Sequence, residues 1–320
     1  MSEIPPDYDR LLDEAIDLAI RLQSDPGNPV ALGMIQAWRA RSPTHEKVWS
    51  RVSVAHDVTG KILTGRRKKE RREQLGLTRR NLVIGGAVGL GAAASGSLLL
   101  PDLIVQAHAD HVTGKAEIRE VALPDGSRAT LGPDSALALA YEPGWRKIEL
   151  LKGMSFFEVA EEAGRPFQVR SGDFTVTALG TAFDVSSDAG LVSTSVSHGR
   201  IETRASSPSL AGGVQLSAGD WLSFDPSRGV VERGQRETGQ IASWRDNLVI
   251  AEREPVSVLI ARIGRWYPGR IVIADPFIGS QKISGLFDLK DPLRALEAVV
   301  HPAGGRVRRI SSFLTFVSPV

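Results

Sequence analysis

The chain has 320 residues, of which 24% are charged and 42% apolar, a balance that suits two or three globular domains. It contains no cysteine, which excludes disulfides, thiolate catalysis and cysteine metal sites. The net charge is only +2, and the basic excess behind the pI of 9.0 is concentrated at positions 66–80, so composition does not mark a nucleic-acid binder.

Residues 1 to about 60 read as three short helices. YDRLLDEAIDLAIRLQS sets Leu11, Leu12, Ala15, Leu18, Ala19 and Leu22 on one stripe, with Asp13, Asp17 and Arg21 elsewhere. DPGNP at 25–29 breaks the pattern, and a second helix is predicted from about Pro29 to Arg41. Ser42 suits an N-cap and Pro43 a first helical turn, opening a third helix that carries Val48, Trp49, Val52 and Ala55. A core this small gains stability from a partner.

After RRKKERR at 66–72, and the pair Arg79 and Arg80, no charge occurs before Asp102. The stretch LVIGGAVGLGAAASGSLLL at 82–100 admits two readings. Gly89, Gly91 and Ala94 fit the relaxed dinucleotide pattern G-x-G-x-x-A, and Asp110 stands where a ribose carboxylate would. Yet the helix such a turn must open, AAASGSLLL, has no polar face and stops at Pro101, and no strand–helix alternation follows. A membrane-crossing helix explains more of these residues: about 20 uncharged positions span a bilayer core, and small residues are common in such helices. A basic flank retains the N-terminal side in the cytoplasm. A basic linker over 61–81 and a span over 82–103 are therefore expected. TRRNLV at 78–83 resembles a twin-arginine export signal, and AHA at 107–109 has the small-x-small form of a signal-peptidase site.

From 113 to 235 the period changes to two, in short runs such as SALALAYE, RKIELLKG, FTVTALG and RIETRAS. PDGS, GPDS, EPGW and RSGD punctuate them as turns. This predicts an all-β domain, a sandwich or a short solenoid. From Trp244 to Val320 helices return: LVIAERE, RIVIAD and KISGLFDL read as strands, PVSVLIARIGRWY and DPLRALEAVV as helices, and RVRRI and SFLTFV as final strands. A small open-sided α+β domain of β-α-β-β-α-β type is expected over 244–320.

Sites for chemistry are sparse. The six histidines, at 45, 56, 108, 111, 198 and 301, show no H-E-x-x-H spacing, and His108, Asp110 and His111 read as ordinary polar residues beside a span. There is no G-x-S-x-G elbow and no P-loop. Glu158, Glu161 and Glu162 could in principle form the acid pair of an exported carbohydrate-active enzyme, but a solvated turn is the simpler reading. Arg39, Arg41, Lys47 and Arg51 are the residues on which a DNA-binding reading of the helical domain would rest. No enzyme activity, cofactor, metal site or direct nucleic-acid contact is expected.

Several segments together resemble the FecR family of transmembrane anti-sigma factors. AWRARSPTHEKVW at 37–49 is similar to the family's helical-domain signature, and LPDGSRATLGPDSAL at 123–137 to its first β motif. GMSFFEVAEEAGRPFQV and VTALGTAFDV, within 153–185, resemble the second, and LSAGDWLSFD at 216–225 a later one. Trp244 to Phe287 resembles the family's terminal module of the secretin/TonB short N-terminal class. The resemblance implies that the N-terminal helices bind an extracytoplasmic-function (ECF) sigma factor in the cytoplasm. The exported part would meet the signalling domain of a TonB-dependent outer-membrane receptor for iron-siderophore uptake, and regulatory proteases would release the cytoplasmic part. The expected sites are Leu18, Leu22, Trp38 and Trp49 for the sigma factor and Arg79 and Arg80 for export across the inner membrane. Val272 and Thr315 mark candidate open edges for the receptor. Gly126, Gly153 and Gly180 are expected to serve turns or close packing, and Phe156, Phe167 and Phe183 to fill the β core.

Overall fold

The structure, a computed structural model, describes residues 10–11, 14–15, 18, 29–50, 52, 105–311 and 314–320. The basic linker, Arg79, Arg80, Leu22, the whole charge-free run and the span expected over 82–103 lie outside the described residues. Among the described residues no helix is long and apolar enough to cross a membrane. The chain divides into two units: Met1–Pro101 with Gly269–Asp275 and Gly304–Val320, and Asp102–Pro268 with Pro276–Ala303.

In the second unit the period-two runs become thirteen strands. They begin with β1 (His111–Val112), β2 (Arg119–Ala122), β3 (Arg128–Leu131), β4 (Ala136–Glu142) and β5 (Trp145–Glu158). Next come β6 (Phe167–Ser171), β7 (Phe174–Ala178), β8 (Ala182–Asp188) and β9 (Leu191–His198). The last are β10 (Arg200–Arg204), β11 (Val214–Ser217), β12 (Asp220–Asp225) and β13 (Val230–Gln235). One sheet runs β11-β10-β7-β6-β5-β4-β1 and the other β2-β3-β5-β8-β9-β12-β13. Strand β5 belongs to both. Its first part, Trp145–Lys152, pairs with β4 and with β6, and its second, Gly153–Glu158, pairs with β8 and with β3. This is a two-sheet β domain and not a solenoid, because one long strand bends out of the first sheet into the second.

The bend falls at Gly153. Its φ is +96°, and a Cβ there would collide with Ser135 Oγ and lie 2.5 Å from Ser135 Cα. Ser135 Oγ also accepts from Met154 N at 2.9 Å, so the close approach is used to hold β5 on the turn before β4. The inner faces of both sheets share one core, including Leu131, Leu150, Phe167, Phe174, Phe183, Ile201 and Phe224. Phe157 packs against Phe167 and Phe183, with ring centroids 5.7 and 5.4 Å away. Phe156 is also buried, but it faces away from this core and carries the Arg245 guanidinium 3.8 Å from its ring centroid.

The terminal segment contains β14 (Leu248–Pro255), α3 (Val256–Ile263), β15 (Arg270–Ile273), α4 (Pro276–Ser280), β16 (Lys282–Asp288), α5 (Pro292–Val300), β17 (Gly305–Ser311) and β18 (Leu314–Pro319). The expected β-α-β-β-α-β order is therefore extended by the short α4 and by a final strand. Its strands form a two-stranded sheet, β14-β16, and a three-stranded one, β15-β18-β17, instead of a single open sheet. Helix α5 starts as its sequence predicts: the Asp291 carboxylate accepts from Arg294 N at 3.1 Å, and Pro292 takes the first turn.

In the first unit, residues 10–11, 14–15 and 18 are helical, followed by α1 (Pro29–Arg39) and α2 (43–50). Their apolar faces and one face of the three-stranded sheet bury a common cluster.

Candidate partner-binding surfaces

The break between α1 and α2 is built by SPTH. His45 N donates to Ser42 Oγ at 3.3 Å, and Ser42 Oγ lies 2.7 Å from His45 Nδ1. His45 in turn meets the Trp38 ring edge-on at 4.6 Å, and Trp38 Nε1 donates to Glu14 at 2.7 Å. The family-like signature is thus a helix corner that fixes one indole. Trp38 and Trp49 are only 4% and 8% exposed, and Leu18 is 8% exposed. In this structure these three residues are buried. Together with Leu11, Ala15, Ile35, Val48 and Val52 they pack with Ile310, Leu314 and Phe316 of the three-stranded sheet. On the outer side of α1, Leu32 and Met34 are exposed.

Two of the basic residues of this part lie beside carboxylates. Arg39 makes a bidentate pair with Glu46 at 2.7 and 2.8 Å, and Arg41 lies 4.0 Å from Glu14.

The two candidate edge strands occupy different places in the strand order. Among the described residues, Val272 is on β15, which pairs with β18 alone. Thr315 is not at an edge: β18 runs between β15 and β17 and hydrogen-bonds to both. Thr315 is fully buried. The expectation for SFLTFV is therefore overturned by strand order.

Two buried ionic clusters emerge that the sequence reading did not single out. The first joins β8 to α3. Asp188 is 2% exposed and accepts from Arg265 Nε at 3.0 Å, Arg265 Nη2 at 2.7 Å and Arg262 Nε at 3.2 Å. Arg265 also donates to Ser187 O and Asp134 O, while Arg262 Nη1 reaches Glu254 at 3.0 Å. Burial alone would raise the Asp188 carboxyl; the two guanidinium groups outweigh it and hold its pKa below the ordinary value. Asp134, beside Lys115 at 3.5 Å and Lys152 at 2.9 Å, is likewise held low against its burial. The charges are thus compensated within the cluster, which clamps α3 onto the β domain.

The second cluster centres on Asp125 of the PDG turn and Arg146 of β5, whose side chains are both fully buried. Arg146 Nη1 donates to Asp125 at 2.8 Å and to Ala160 O at 2.9 Å, and Arg146 Nε to Arg165 O at 2.8 Å. Tyr141 and Ser127 hydroxyls complete the carboxylate's shell at 2.9 and 2.6 Å. Burial raises the Tyr141 pKa, and the neighbouring Asp125 carboxylate raises it further. The inward position of Arg146 was legible: it shares the face of Ile148 and Leu150 at two-residue spacing.

The three glutamates do not look like an acid pair. Glu158 pairs with Arg128 at 3.1 Å, and Glu162 with Arg165 at 2.5 Å, which holds the Glu162 carboxyl low. A general acid needs the opposite shift. Asp110 accepts from Leu139 N at 2.7 Å and serves the start of the β domain. Among the described residues no group of His, Asp or Glu is arranged to hold a metal.

A small helical part, a two-sheet β domain and a terminal α+β segment give the chain a modular organisation. Residues 109–202 match the FecR protein family, and residues 13–54 match a domain of unknown function, DUF4880. The chain therefore carries a FecR-family domain, preceded by a DUF4880 domain. Two crystal structures, at 1.65 and 2.50 Å resolution, of a candidate anti-sigma factor from Parabacteroides distasonis ATCC 8503 share the fold, each with a TM-score of 0.59 and 23% identity. Each match covers 66% of this chain and 98% of the other. No curated protein matches the chain.

Proposed function

We propose that this protein is a membrane-spanning regulator of an ECF sigma factor. Residues 1–60 hold the sigma factor in the cytoplasm, residues 82–103 cross the inner membrane, and the β domain and terminal segment face the periplasm. There they receive a signal from a TonB-dependent receptor for iron-siderophore uptake, and proteolysis releases the cytoplasmic part. One observation carries the reading: the DUF4880 match at 13–54 and the FecR match at 109–202 lie on opposite sides of a charge-free run with a strongly basic N-terminal flank. That flank is the signal that keeps the preceding residues in the cytoplasm. The fold shared with the candidate anti-sigma factor supports the sigma-factor partner.

The test is purification of the tagged full chain from membranes, followed by identification of what comes with it. An ECF sigma factor is expected. Recovery of duplex DNA without any sigma factor would sink the proposal.

A further inference from the structure

We infer that the apolar face of the N-terminal helices has two mutually exclusive occupants: the chain's own three-stranded sheet before the chain crosses the membrane, and the sigma factor afterwards. Crossing the membrane thus unmasks the sigma-binding face. This rests on the function proposed above.

The contact is specific to one side of each element. From the helices come Leu11, Ala15, Leu18, Ile35, Trp38, Val48, Trp49 and Val52; from the sheet come Ile310, Leu314 and Phe316, with Val272 and Ala274 at its margin. Leu314 and Phe316 are 1% and 2% exposed, so the sheet face is as fully covered as the helix face. Trp38 cannot turn outward while its indole N–H is held by Glu14 and its ring edge by His45. A partner seeking this apolar stripe must therefore displace the sheet, because a single helix face cannot bury the same side chains twice.

The chain between the two occupants contains the predicted span at 82–103. Every residue is made on the cytoplasmic side, where helices and sheet can meet. Once residues 82–103 cross the bilayer, the sheet is on the far side and the helix face is left without a cover. Copies that fail to cross then do not sequester sigma factor, and inhibition is confined to copies able to receive the external signal. If the face is covered in nine of ten uncrossed molecules, apparent affinity falls about tenfold.

The experiment compares the inserted full chain with a chain lacking only residues 82–100, which stays in the cytoplasm whatever its export route. The probe is the purified ECF sigma factor recovered with the full chain from membranes. The span-deleted chain is expected to bind it about tenfold more weakly than the same chain carrying L314E and F316E. Because those substitutions can disturb the sheet, a second measurement uses photoreactive benzoylphenylalanine at position 316. It should cross-link to residues 10–52 in the span-deleted chain and not in the inserted one. Equal binding by both span-deleted chains, or no internal cross-link, overturns the masking. A cross-link without sigma binding by any chain, the inserted one included, shows that the sheet contact exists but that the sigma-factor reading has failed, and the competition falls with it.

Discussion

At the scale of single residues, the buried carboxylates decide stability. Asp188 neutralises two guanidinium groups, Arg262 from α3 and Arg265 from the turn after it, and Arg262 keeps Glu254 while Arg265 has no second carboxylate among its hydrogen-bond partners. D188A should therefore cost about 3–5 kcal/mol in urea unfolding of the unit that holds the β domain, since it strands a buried cation. R265A should cost more than R262A, because Arg265 supplies two bonds to Asp188 and also donates to Ser187 O and Asp134 O, whereas Arg262 supplies one bond to Asp188. The pH dependence follows from sign. Asp188, Asp134 and Asp125 all have folded pKa values depressed below the ordinary one. Their stabilisation is complete above the unfolded value of about 3.9 and is lost as pH falls through the lower folded values. Thermal melts from pH 7 to pH 2 should fall off mainly below about pH 4, and D188A should flatten that limb. Asp184 works the other way: burial raises its carboxyl, so its contribution declines as pH rises through the raised value. Arg146 was readable from its alternation with Ile148 and Leu150, whereas Asp188 at the end of AFDVSSD carries no local signal of its partners 74 and 77 residues away.

At the scale of elements, Gly153 is the position where sequence chemistry and topology meet. G153A demands a left-handed alanine and a collision with Ser135, and should destabilise by about 1–3 kcal/mol or more in the same unfolding assay. G144A, on a turn with open space around it, should be nearly silent. Strand identity was legible because half-buried strands alternate, and the caps of α2 and α5 were legible because Ser42 and Asp291 are followed by proline. Strand order was not. SFLTFV looks the same whether it lies at an edge or between neighbours, and only the long-range pairing with β15 and β17 places it centrally. Proline substitutions separate the two positions. T315P should unfold the sheet, at a cost of about 3 kcal/mol or more, and so says nothing about receptor docking. V272P, on the edge strand, is the informative variant: it should weaken receptor binding more than it lowers the melting temperature, if β15 is the docking edge.

At the scale of the whole molecule, the prediction concerns sidedness. Reporter fusions at Thr59 and Gly114 should be active in opposite compartments, and the same compartment for both would rule out a single crossing. Lysine at both Arg79 and Arg80 keeps the charge, so loss of export in that variant would identify the pair as a translocase signal and normal export would reduce it to a topology charge. The sharing of β5 by both sheets has a kinetic consequence as well. Neither sheet can complete its ladder until this strand is in place, and its partners β3, β4, β6 and β8 approach it from both directions along the chain. Non-local pairings of this kind must close long loops before any contact rewards them, so the domain should fold slowly, with β5 in the transition-state nucleus. Conservative truncations along β5 should then slow refolding, while truncations in peripheral β13 should chiefly speed unfolding.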